Sequence, residues 1–304
     1  MQYQQILAML SQRTSDVAIR SQDDCPPLVS HFNVAKMVTI KLIIALAAIH
    51  DWFLHQLDVN NVFLHGDLHE DVYMTLPPGY CPKGHTLPAN VVCKLKKSLY
   101  GLKQASTQWF EKFSNSMVEE GFKHSATNHS LFIKHFGTSF ILLLLYVDDA
   151  IVVSKNLAEM QTLKTRLDSR FKLKDLGGLK YFLGLEIARS NKGIFMSQRG
   201  YALQLLEDLG HLGCKPASTP MEANIKLWDN GKDSLADPKL YKTIIGEGLF
   251  FATPSKVQLK AYTDLDWAAS IDTRRSTTSF CIFIGDSIVS WKSKKQQTVS
   301  RSSA

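Results

Sequence analysis

Large apolar residues recur at helical spacing in three parts of the chain, separated by shorter apolar runs. The first helix is predicted over residues 34–49, the second begins at Ala105, and the third carries its apolar stripe between residues 157 and 171. In each, the apolar positions fall three or four residues apart, which places them on one helix face. Gly121 is expected to end the second helix, because glycine readily adopts the left-handed conformation of a helix C-terminus.

The shorter apolar runs predict β-strands between these helices. Residues 53–59 form the first strand, and residues 139–147 and 150–154 form two more in close succession. Another strand, over residues 132–135, is joined to the 139–147 run by a turn at Gly137. The 139–147 run is almost wholly apolar, which is typical of a strand buried on both faces.

The last third of the chain predicts more strands around an aperiodic segment. Residues 181–188 and 193–196 are expected to pair as a hairpin after a break at Gly177 and Gly178. Residues 214–238 mix Pro, Asn, Gly and Ser without a period and are interpreted as a linker or loop. Further strands are expected at residues 259–263, 279–284 and 288–291, the last two joined by a turn at Gly285 and Asp286.

Composition places the chain among ordinary globular proteins. Hydrophobic residues make up 45% and charged residues 21% of the 304 positions, which excludes collagen, disulfide-rich miniproteins and largely disordered chains. This length suggests about two domains. Lys and Arg outnumber Asp and Glu by 35 to 28, a net charge of +7. The basic excess suits a phosphate-bearing partner but does not by itself establish one.

The cysteines and the N-terminal residues bear on where the protein is found. The five cysteines are widely spaced and form no C-x-x-C pair, so the reduced thiols of an intracellular protein are expected. Residues 1–16 lack a basic start followed by an apolar core, and no signal peptide is predicted. The longest apolar run is far shorter than the roughly 20 residues of a membrane helix, so no membrane association is expected.

Asp148 and Asp149 directly follow the most apolar strand. Two adjacent carboxylates repel one another and are costly to place near a core, and a bound cation offsets both charges. A solvated Asp-Asp turn is the simpler alternative. The five apolar residues 141–145 draw the strand inward and so favour a metal site.

A third carboxylate, Asp58, lies at the end of the strand 53–59. Two strands that end in carboxylates could hold two Mg²⁺ ions, which take oxygen ligands and leave positions for phosphate oxygens. For Asp58 alone, a strand-end or helix-capping role is the alternative. Between the two strands, Gly101 would allow close backbone approach to a ligand, and Lys103 and Gln104 supply hydrogen-bond donors.

Four segments of the chain carry the motifs of one family in order and spacing. They are QLDVNNVFLHGDL, CKLKKSLYGLKQA, LLLLYVDDAIV and LKDLGGLKYFLGLEI. Together they resemble the reverse transcriptase of copia-type long-terminal-repeat retrotransposons. The final stretch, which begins AYTDLDWAAS, resembles the start of the ribonuclease H domain that follows the polymerase in that family.

The resemblance implies an α+β fold: a polymerase palm, an antiparallel sheet with packed helices, followed by a truncated ribonuclease H-like α/β domain. The expected divisions are a poorly ordered segment at 1–30, a palm with partial fingers at 31–213, a linker with a shortened thumb and connection at 214–250, and the ribonuclease H-like domain at 251–304. The implied function is RNA-directed DNA polymerase, acting on an RNA template, a DNA primer and deoxynucleoside triphosphates. Such a protein would act in the cytoplasm, within a virus-like particle, or in the nucleus.

The same resemblance implies roles for the three carboxylates and for one aromatic residue. Asp58, Asp148 and Asp149 match the family's catalytic, metal-binding carboxylates, with Asp149 contributing less directly. The implied cofactor is a pair of Mg²⁺ ions, for which Mn²⁺ could substitute. Phe63 matches the aromatic residue that crowds the sugar 2′ position and so excludes ribonucleotides.

Further matches extend to the nucleotide pocket and to the second half of the chain. The expected pocket for the incoming nucleotide and the template base comprises Tyr100, Gly101, Lys103 and Gln104. Leu183 and Gly184 fall at the family's primer-gripping hairpin, and Asp264 matches the first ribonuclease H aspartate. Ordinary core packing is the alternative for the aromatic rings of Phe63 and Tyr100.

The chain lacks three parts of the family pattern. Residues 1–30 do not resemble the family's basic fingers strands, several dozen residues of a helical connection are missing near residue 247, and the sequence stops where the family's next acidic stretch begins. We expect no ribonuclease H activity, because one strand-borne carboxylate cannot assemble that site. A catalytically defective retroelement remnant, with at most weak nucleic-acid binding, is therefore the alternative function. A metal-dependent nuclease, suggested only by Asp264 and Asp266, is a third.

Overall fold

The computed structural model describes residues 36–76, 79, 91–210, 212–213, 248–253, 255–268, 270 and 273–299. The predicted disorder of residues 1–30 and the predicted linker at 214–238 lie outside the described residues. The chain divides into two compact units, and neither is continuous in sequence. The first unit includes Phe53–Gly178, and the second combines Met37–Trp52 with the residues from Leu179 onward.

The described residues form four α-helices, one 3₁₀-helix and fifteen strands. The helices are α1 (Met37–His50), α2 (Ala105–Glu119), α3 (Leu157–Phe171) and α4 (Arg199–Asp208), and the 3₁₀-helix is Val62–His65. The strands of the first unit are β1 (Phe53–Val59), β2 (Tyr73–Thr75), β3 (Val92–Lys94), β4 (Lys123–His124), β5 (Leu131–Phe136), β6 (Ser139–Tyr146), β7 (Asp149–Ser154) and β8 (Leu173–Gly178). Those of the second unit are β9 (Tyr181–Phe182), β10 (Leu185–Ser190), β11 (Gly193–Ser197), β12 (Leu249–Ala252), β13 (Leu259–Asp266), β14 (Thr277–Ile284) and β15 (Ser287–Lys295).

The first unit is built on a six-stranded sheet in the order β4-β5-β6-β7-β1-β8, with each neighbouring pair antiparallel. Helices α2 and α3 pack their apolar stripes on one face of this sheet around a shared core. Strand β6 is buried on both faces from Phe140 to Leu145, as its unbroken apolar sequence predicts. The pairing places β1, which carries Asp58, between β8 and β7, the strand that begins with Asp149.

The second unit combines helix α1 with two smaller sheets. These are a four-stranded sheet, β12-β11-β10-β9, and a three-stranded sheet, β13-β14-β15. Helix α1 contacts β11, β12, β14 and β15, and the Lys41 ammonium lies 3.6 Å from the ring centre of Trp291. The helix is apolar around its whole circumference and buries most of its residues, which is expected of a helix enclosed by other elements.

Most predicted elements are confirmed, and the differences have local causes. Residues 181–188 are not one strand, because Leu183 and Gly184 both take positive φ and turn the chain between β9 and β10. Strand β8 was not predicted, since its sequence LKDLGG is polar and ends in two glycines. Helix α4 was not predicted either. Its sequence carries no strong apolar stripe, and the helix buries none of its residues.

The described residues form a mixed α/β arrangement of antiparallel sheets and four α-helices, which is consistent with the expected reverse transcriptase domain. The compact units divide the chain near residue 178, whereas the predicted palm extends to residue 213. The ribonuclease H-like character of residues 251–304 remains a prediction. Among the described residues, no helix has the length and apolar character needed to cross a bilayer.

Candidate active site

The three predicted carboxylates are placed by two neighbouring strands. Asp58 in β1 lies directly opposite Asp149 in β7. Tyr146 pairs with Asp149 across the β6–β7 hairpin, so Val147 and Asp148 form a two-residue turn between these strands. The fold therefore brings all three carboxylates to the same end of the sheet, as the sequence predicts.

The backbone of this turn is strained. Val147 has a φ of 53°, a conformation that is unfavourable for a β-branched residue. Two hydrogen bonds hold the turn: the Trp109 indole donates to the Val147 carbonyl over 2.7 Å, and the Val59 amide donates to the Asp148 carbonyl over 2.8 Å. Trp109 belongs to α2 and is buried in the core, so the position of the turn depends on the packing of that helix.

Asp149 is half-buried and has a specific hydrogen-bond partner. The side-chain amide of Gln56 donates to its Oδ1 over 3.0 Å, and Gln56 itself is buried. Burial raises the pKa of Asp149, the Gln56 hydrogen bond opposes that effect, and the charges of Asp148 and Asp58 raise the pKa further, so that the net change is upward. The local field therefore favours a bound positive charge.

The chemistry of this donor set fits a hard divalent cation, because all three side chains offer carboxylate oxygens. Burial raises the pKa of Asp149 most, and the charges of Asp148 and Asp58 raise it further; a bound cation would offset both effects. The described residues contain no group of three or more His, Cys, Asp or Glu side chains already arranged to hold a metal ion. The three carboxylates share one end of the sheet without converging on a single point.

The two predicted aromatic pocket residues are brought together. Phe63 lies in the 3₁₀-helix after β1, which begins where Asn61 takes a left-handed φ of 51°. Its ring meets that of Tyr100 edge-on, with 4.7 Å between ring centres. Phe63 is half-buried against the core, whereas Tyr100 is 60% exposed. The core-packing alternative thus applies to part of Phe63 but not to Tyr100.

The remaining predicted pocket residues form the turn that enters α2. Gly101 has a φ of 91°, and its α-carbon faces open space. Lys103 is exposed and makes no ion pair among the described residues. The side-chain amide of Gln104 donates to the carboxylate of Glu70 over 3.4 Å. Gln104 is also the N-cap residue of α2, and its backbone carbonyl accepts a hydrogen bond from the helix.

A pair of lysines near this turn shares one aspartate. Asp67 bonds Lys112 over 2.6 Å and also bonds Lys97. These two ammonium groups, Lys112 foremost, hold the pKa of Asp67 at about 2. Lys97 and Lys112 are therefore less available to a phosphate than the exposed Lys103.

The other predicted site residues lie in the second unit. Leu183 and Gly184 form the tight turn between β9 and β10, with φ values of 52° and 75°. Asp264 lies in β13 opposite Ser279 of β14, and its side chain is exposed. The structure thus places the first pair at a hairpin tip and the aspartate on an open sheet.

Sequence reasoning singled out neither Gln56 nor the contact that Trp109 makes with the turn. Gln56 could have been found from strand periodicity, because positions 56 and 58 of one strand share a face. The role of Trp109 depends on a contact between a helix and a distant turn, for which sequence spacing carries no signal.

Comparison with known proteins identifies the family. A family model described as reverse transcriptase (RNA-dependent DNA polymerase) matches residues 25–223, more than half of the chain. The chain belongs to the reverse transcriptase family. The predicted resemblance to copia-type retrotransposon polymerases is likewise confirmed by the relatives of this reverse transcriptase.

Two relatives are retrovirus-related Pol polyproteins of plant transposons. The polyprotein from transposon RE1 of Arabidopsis thaliana is 34% identical over 89% of this chain, and that from transposon TNT 1-94 of Nicotiana tabacum is 32% identical over 88%. A third relative, an uncharacterized mitochondrial protein of Arabidopsis thaliana, is 35% identical over 53% of this chain and 86% of its own length. This reverse transcriptase chain spans 21% and 24% of the two polyproteins.

The alignment with the RE1 polyprotein contains an internal length difference. The alignment has 316 positions, and it includes 89% of the 304 residues of this chain, about 271. About 45 positions, the difference between 316 and 271, therefore have no counterpart in this chain.

Proposed function

We propose that this chain is the polymerase part of a copia-type retrotransposon and acts as an RNA-directed DNA polymerase. In that reaction the 3′-hydroxyl of a DNA primer attacks the α-phosphate of a deoxynucleoside triphosphate selected by an RNA template, and pyrophosphate leaves. The observation that carries the proposal is the placement of Asp58 directly opposite Asp149, next to the turn that presents Asp148. A reverse transcriptase family match supports it.

The three carboxylates would hold the two metal ions of this reaction. Asp58 and Asp148 would bind both ions, and Asp149 would contribute less directly, as a further carboxylate of the metal site. Mg²⁺, or Mn²⁺ in its place, supplies positive charge that activates the primer hydroxyl and stabilises the leaving oxygen. The fixed turn would contribute positioning, because the hydrogen bonds that Trp109 and Val59 donate to its carbonyls hold Asp148 and Asp149 in place before substrate binds.

The edge-on pair of Phe63 and Tyr100 would form one wall of the nucleotide pocket. The Phe63 ring would lie against the sugar and leave no room for a 2′-hydroxyl, and Tyr100 supports that ring from the solvent side. Gly101 would let the backbone approach the nucleotide closely. Lys103 and Gln104 would donate to the phosphates or the base.

The hairpin tip at Leu183 and Gly184 would contact the primer strand. An RNA template, a DNA primer and deoxynucleoside triphosphates are the proposed partners. Asp264 would be a remnant of a ribonuclease H site, without activity of its own.

Primer extension tests the polymerase proposal. The purified chain should extend a DNA primer on an RNA template with Mg²⁺ or Mn²⁺, and Asp148→Ala should abolish extension. Asp168→Asn, which changes an exposed carboxylate of α3, should extend as the unchanged chain does. Absence of extension by the unchanged chain, beside an active full-length relative, would refute the proposal.

The alternative function is a defective remnant that binds nucleic acid weakly. Two observations favour it: about 45 positions of the RE1 polyprotein have no counterpart here, and the described residues contain no group already arranged to hold a metal ion. The net charge of +7 would then produce weak binding to a primer–template duplex that falls as salt rises. Binding without extension would favour this alternative, and no binding even at low salt would exclude it.

A further inference from the structure

We propose that Gln56 is a positioning residue that holds Asp149 so that one carboxylate oxygen stays free for a metal ion. This inference rests on the proposed polymerase function and extends it to a residue whose side chain contacts Asp149.

The geometry begins with the β1–β7 pairing. Gln56 and Asp58 share one face of β1, and Asp149 lies directly opposite Asp58. Gln56 therefore lies diagonally across from Asp149, a separation that a long side chain spans and a short one does not. The two methylene groups of glutamine bring its amide within 3.0 Å of the Asp149 Oδ1.

The chemistry of the contact fixes its direction. The Oδ1 of an ionised carboxylate only accepts hydrogen bonds, so the amide must present its N–H group and not its oxygen. Gln56 is 8% exposed, and its amide therefore has little access to water as another partner. Among the described residues the other oxygen, Oδ2, makes no hydrogen bond, which leaves it available to a cation.

This arrangement does two things for a metal site. It fixes the side-chain rotation of Asp149, so the carboxylate does not have to be ordered when the ion binds. It also supplies a neutral donor, where a lysine or arginine would bring a positive charge that competes with the ion. Partners that hold a ligating group in this way typically change metal affinity about 10–100-fold when removed.

Manganese binding provides a test that is independent of polymerase activity. Mn²⁺ is titrated into the metal-free full chain, and the free ion is followed by its electron paramagnetic resonance signal. Gln56→Met keeps the length and volume of the side chain but removes the donor, and it should weaken Mn²⁺ binding about tenfold or more. Gln161→Met, at an exposed position of α3, is the matched control and should bind as the unchanged chain does.

A second background separates positioning from general damage to the fold. If Gln56 acts through Asp149, then Gln56→Met should cause no further loss of Mn²⁺ affinity in a chain that already carries Asp149→Ala. Thermal unfolding of each variant establishes that the folded chains are compared. Equal Mn²⁺ affinity in Gln56→Met and the unchanged chain, or an equal loss in both backgrounds, would overturn the proposal.

The outcomes also separate this proposal from the polymerase function on which it rests. No Mn²⁺ binding by the unchanged chain would refute both. Mn²⁺ binding and primer extension that Gln56→Met leaves unchanged would refute only the role of Gln56.

Discussion

Val147 shows how a single strained residue can define a site. A two-residue hairpin turn whose first central residue has positive φ normally carries glycine there. A β-branched residue in that position costs about 1–3 kcal/mol, which must be offset by surrounding contacts. The offset here comes from the hydrogen bonds that Trp109 and Val59 donate to the carbonyls of Val147 and Asp148.

Trp109→Phe should release this turn. The change keeps an aromatic ring in the core but leaves the Val147 carbonyl without its donor, which should lower the free energy of unfolding by about 1–3 kcal/mol. Primer extension should fall more than the loss of folded protein explains, because the carboxylates lose their fixed positions. Urea unfolding and extension rates measured on the same samples check both effects.

Phe113→Leu is the control for this prediction. Phe113 lies one helical turn along the same face of α2, is equally buried, and packs against the Trp109 ring. Its loss weakens the core but leaves the hydrogen bond to the turn intact. Should Phe113→Leu reduce extension as much as Trp109→Phe at equal stability, the hydrogen bond would not be what holds the turn.

Asp149→Asn should make the metal-free protein more stable. The pKa of Asp149 is raised in the folded state, so ionised Asp149 disfavours folding, and this penalty grows as pH rises above the 3.8 of an unperturbed aspartate. The variant removes the penalty and retains an acceptor for Gln56. In EDTA at pH 7 it should gain about 0.5–2 kcal/mol, as substitutions that relieve strain at active sites commonly do.

The pH dependence distinguishes this gain from an ordinary packing change. In urea unfolding the advantage of Asp149→Asn should vanish below about pH 3.8, where the unfolded aspartate is protonated too. Asp168→Asn, at an exposed position of α3, should show no comparable gain. An advantage of equal size at every pH would contradict the electrostatic explanation.

At the scale of elements, the approach of Gly66 to α2 sets how closely the loop after the 3₁₀-helix packs. A β-carbon on Gly66 would lie 3.0 Å from the Gln108 β-carbon and 3.1 Å from the Trp109 backbone nitrogen. Neither atom can move without moving the helix. The glycine is therefore required by space, since its φ of −65° suits any residue.

Gly66→Ala should lower the free energy of unfolding by about 1–3 kcal/mol, the usual cost of overpacking. Gly178→Ala is the matched control, because a β-carbon there would meet no atom within 4 Å and its φ is not positive. Urea unfolding of both variants checks the prediction. A Gly66→Ala chain as stable as Gly178→Ala would show that α2 shifts freely.

An ion pair between a buried lysine and a half-exposed aspartate joins α3 to strand β8. The Lys164 ammonium is 5% exposed and lies 2.9 Å from the Asp175 carboxylate, and it also contacts the His55 ring over 2.5 Å. Removing the carboxylate leaves a buried charge without its ion-pair partner, whereas removing the lysine leaves only a half-exposed aspartate. These two losses should not cost the same.

Asp175→Asn should therefore destabilise the protein by about 3 kcal/mol, whereas Lys164→Met, which fills the same volume with apolar atoms, should cost less than about 1 kcal/mol. Chemical denaturation of the two variants at pH 7 measures the difference. If Lys164→Met proved the more harmful substitution, attraction within the pair would outweigh the cost of burying the ammonium.

The sequence predicted the elements of the first unit well because their periods are strong. Strand 53–59 and the helix over 157–171 have the predicted positions, and the Asp148–Asp149 turn follows its apolar strand as expected. The contacts that fix the site could not be predicted in the same way. The Trp109–Val147 bond joins residues 38 positions apart, and the Gln56–Asp149 bond joins residues 93 positions apart. Spacing within one element gives no information about either.

At the scale of the whole molecule, α1 comes before the six-stranded sheet of the first unit in sequence, but it belongs to the second unit. Lys41 lies over Trp291 of β15, and Ala48 lines a small cavity of about 290 Å³ with Ile194 of β11 and Thr253. Ile44 falls between them on the same helix face and is fully buried. A change at Ile44 should therefore act on strands far along the chain.

Ile44→Ala should lower the local stability of the second unit by about 2–5 kcal/mol. Hydrogen exchange read by mass spectrometry should show faster exchange in β11, β12, β14 and β15, with a smaller change in β5 and β6. Val38→Ala, at a position of α1 that is 46% exposed, should leave both patterns as they are. Faster exchange confined to the first unit would contradict the packing of α1 within the second unit.

The same threading has a consequence for biosynthesis. A ribosome releases α1 before the six-stranded sheet, and that sheet before the strands against which α1 packs. During that interval an almost entirely apolar helix has none of these partners, and such a segment is a target for chaperones and a source of aggregation. The contacts of α1 within the second unit join residues that are separated in sequence by all of Phe53–Gly178. Contacts of such long sequence separation make this a slow, late step of folding.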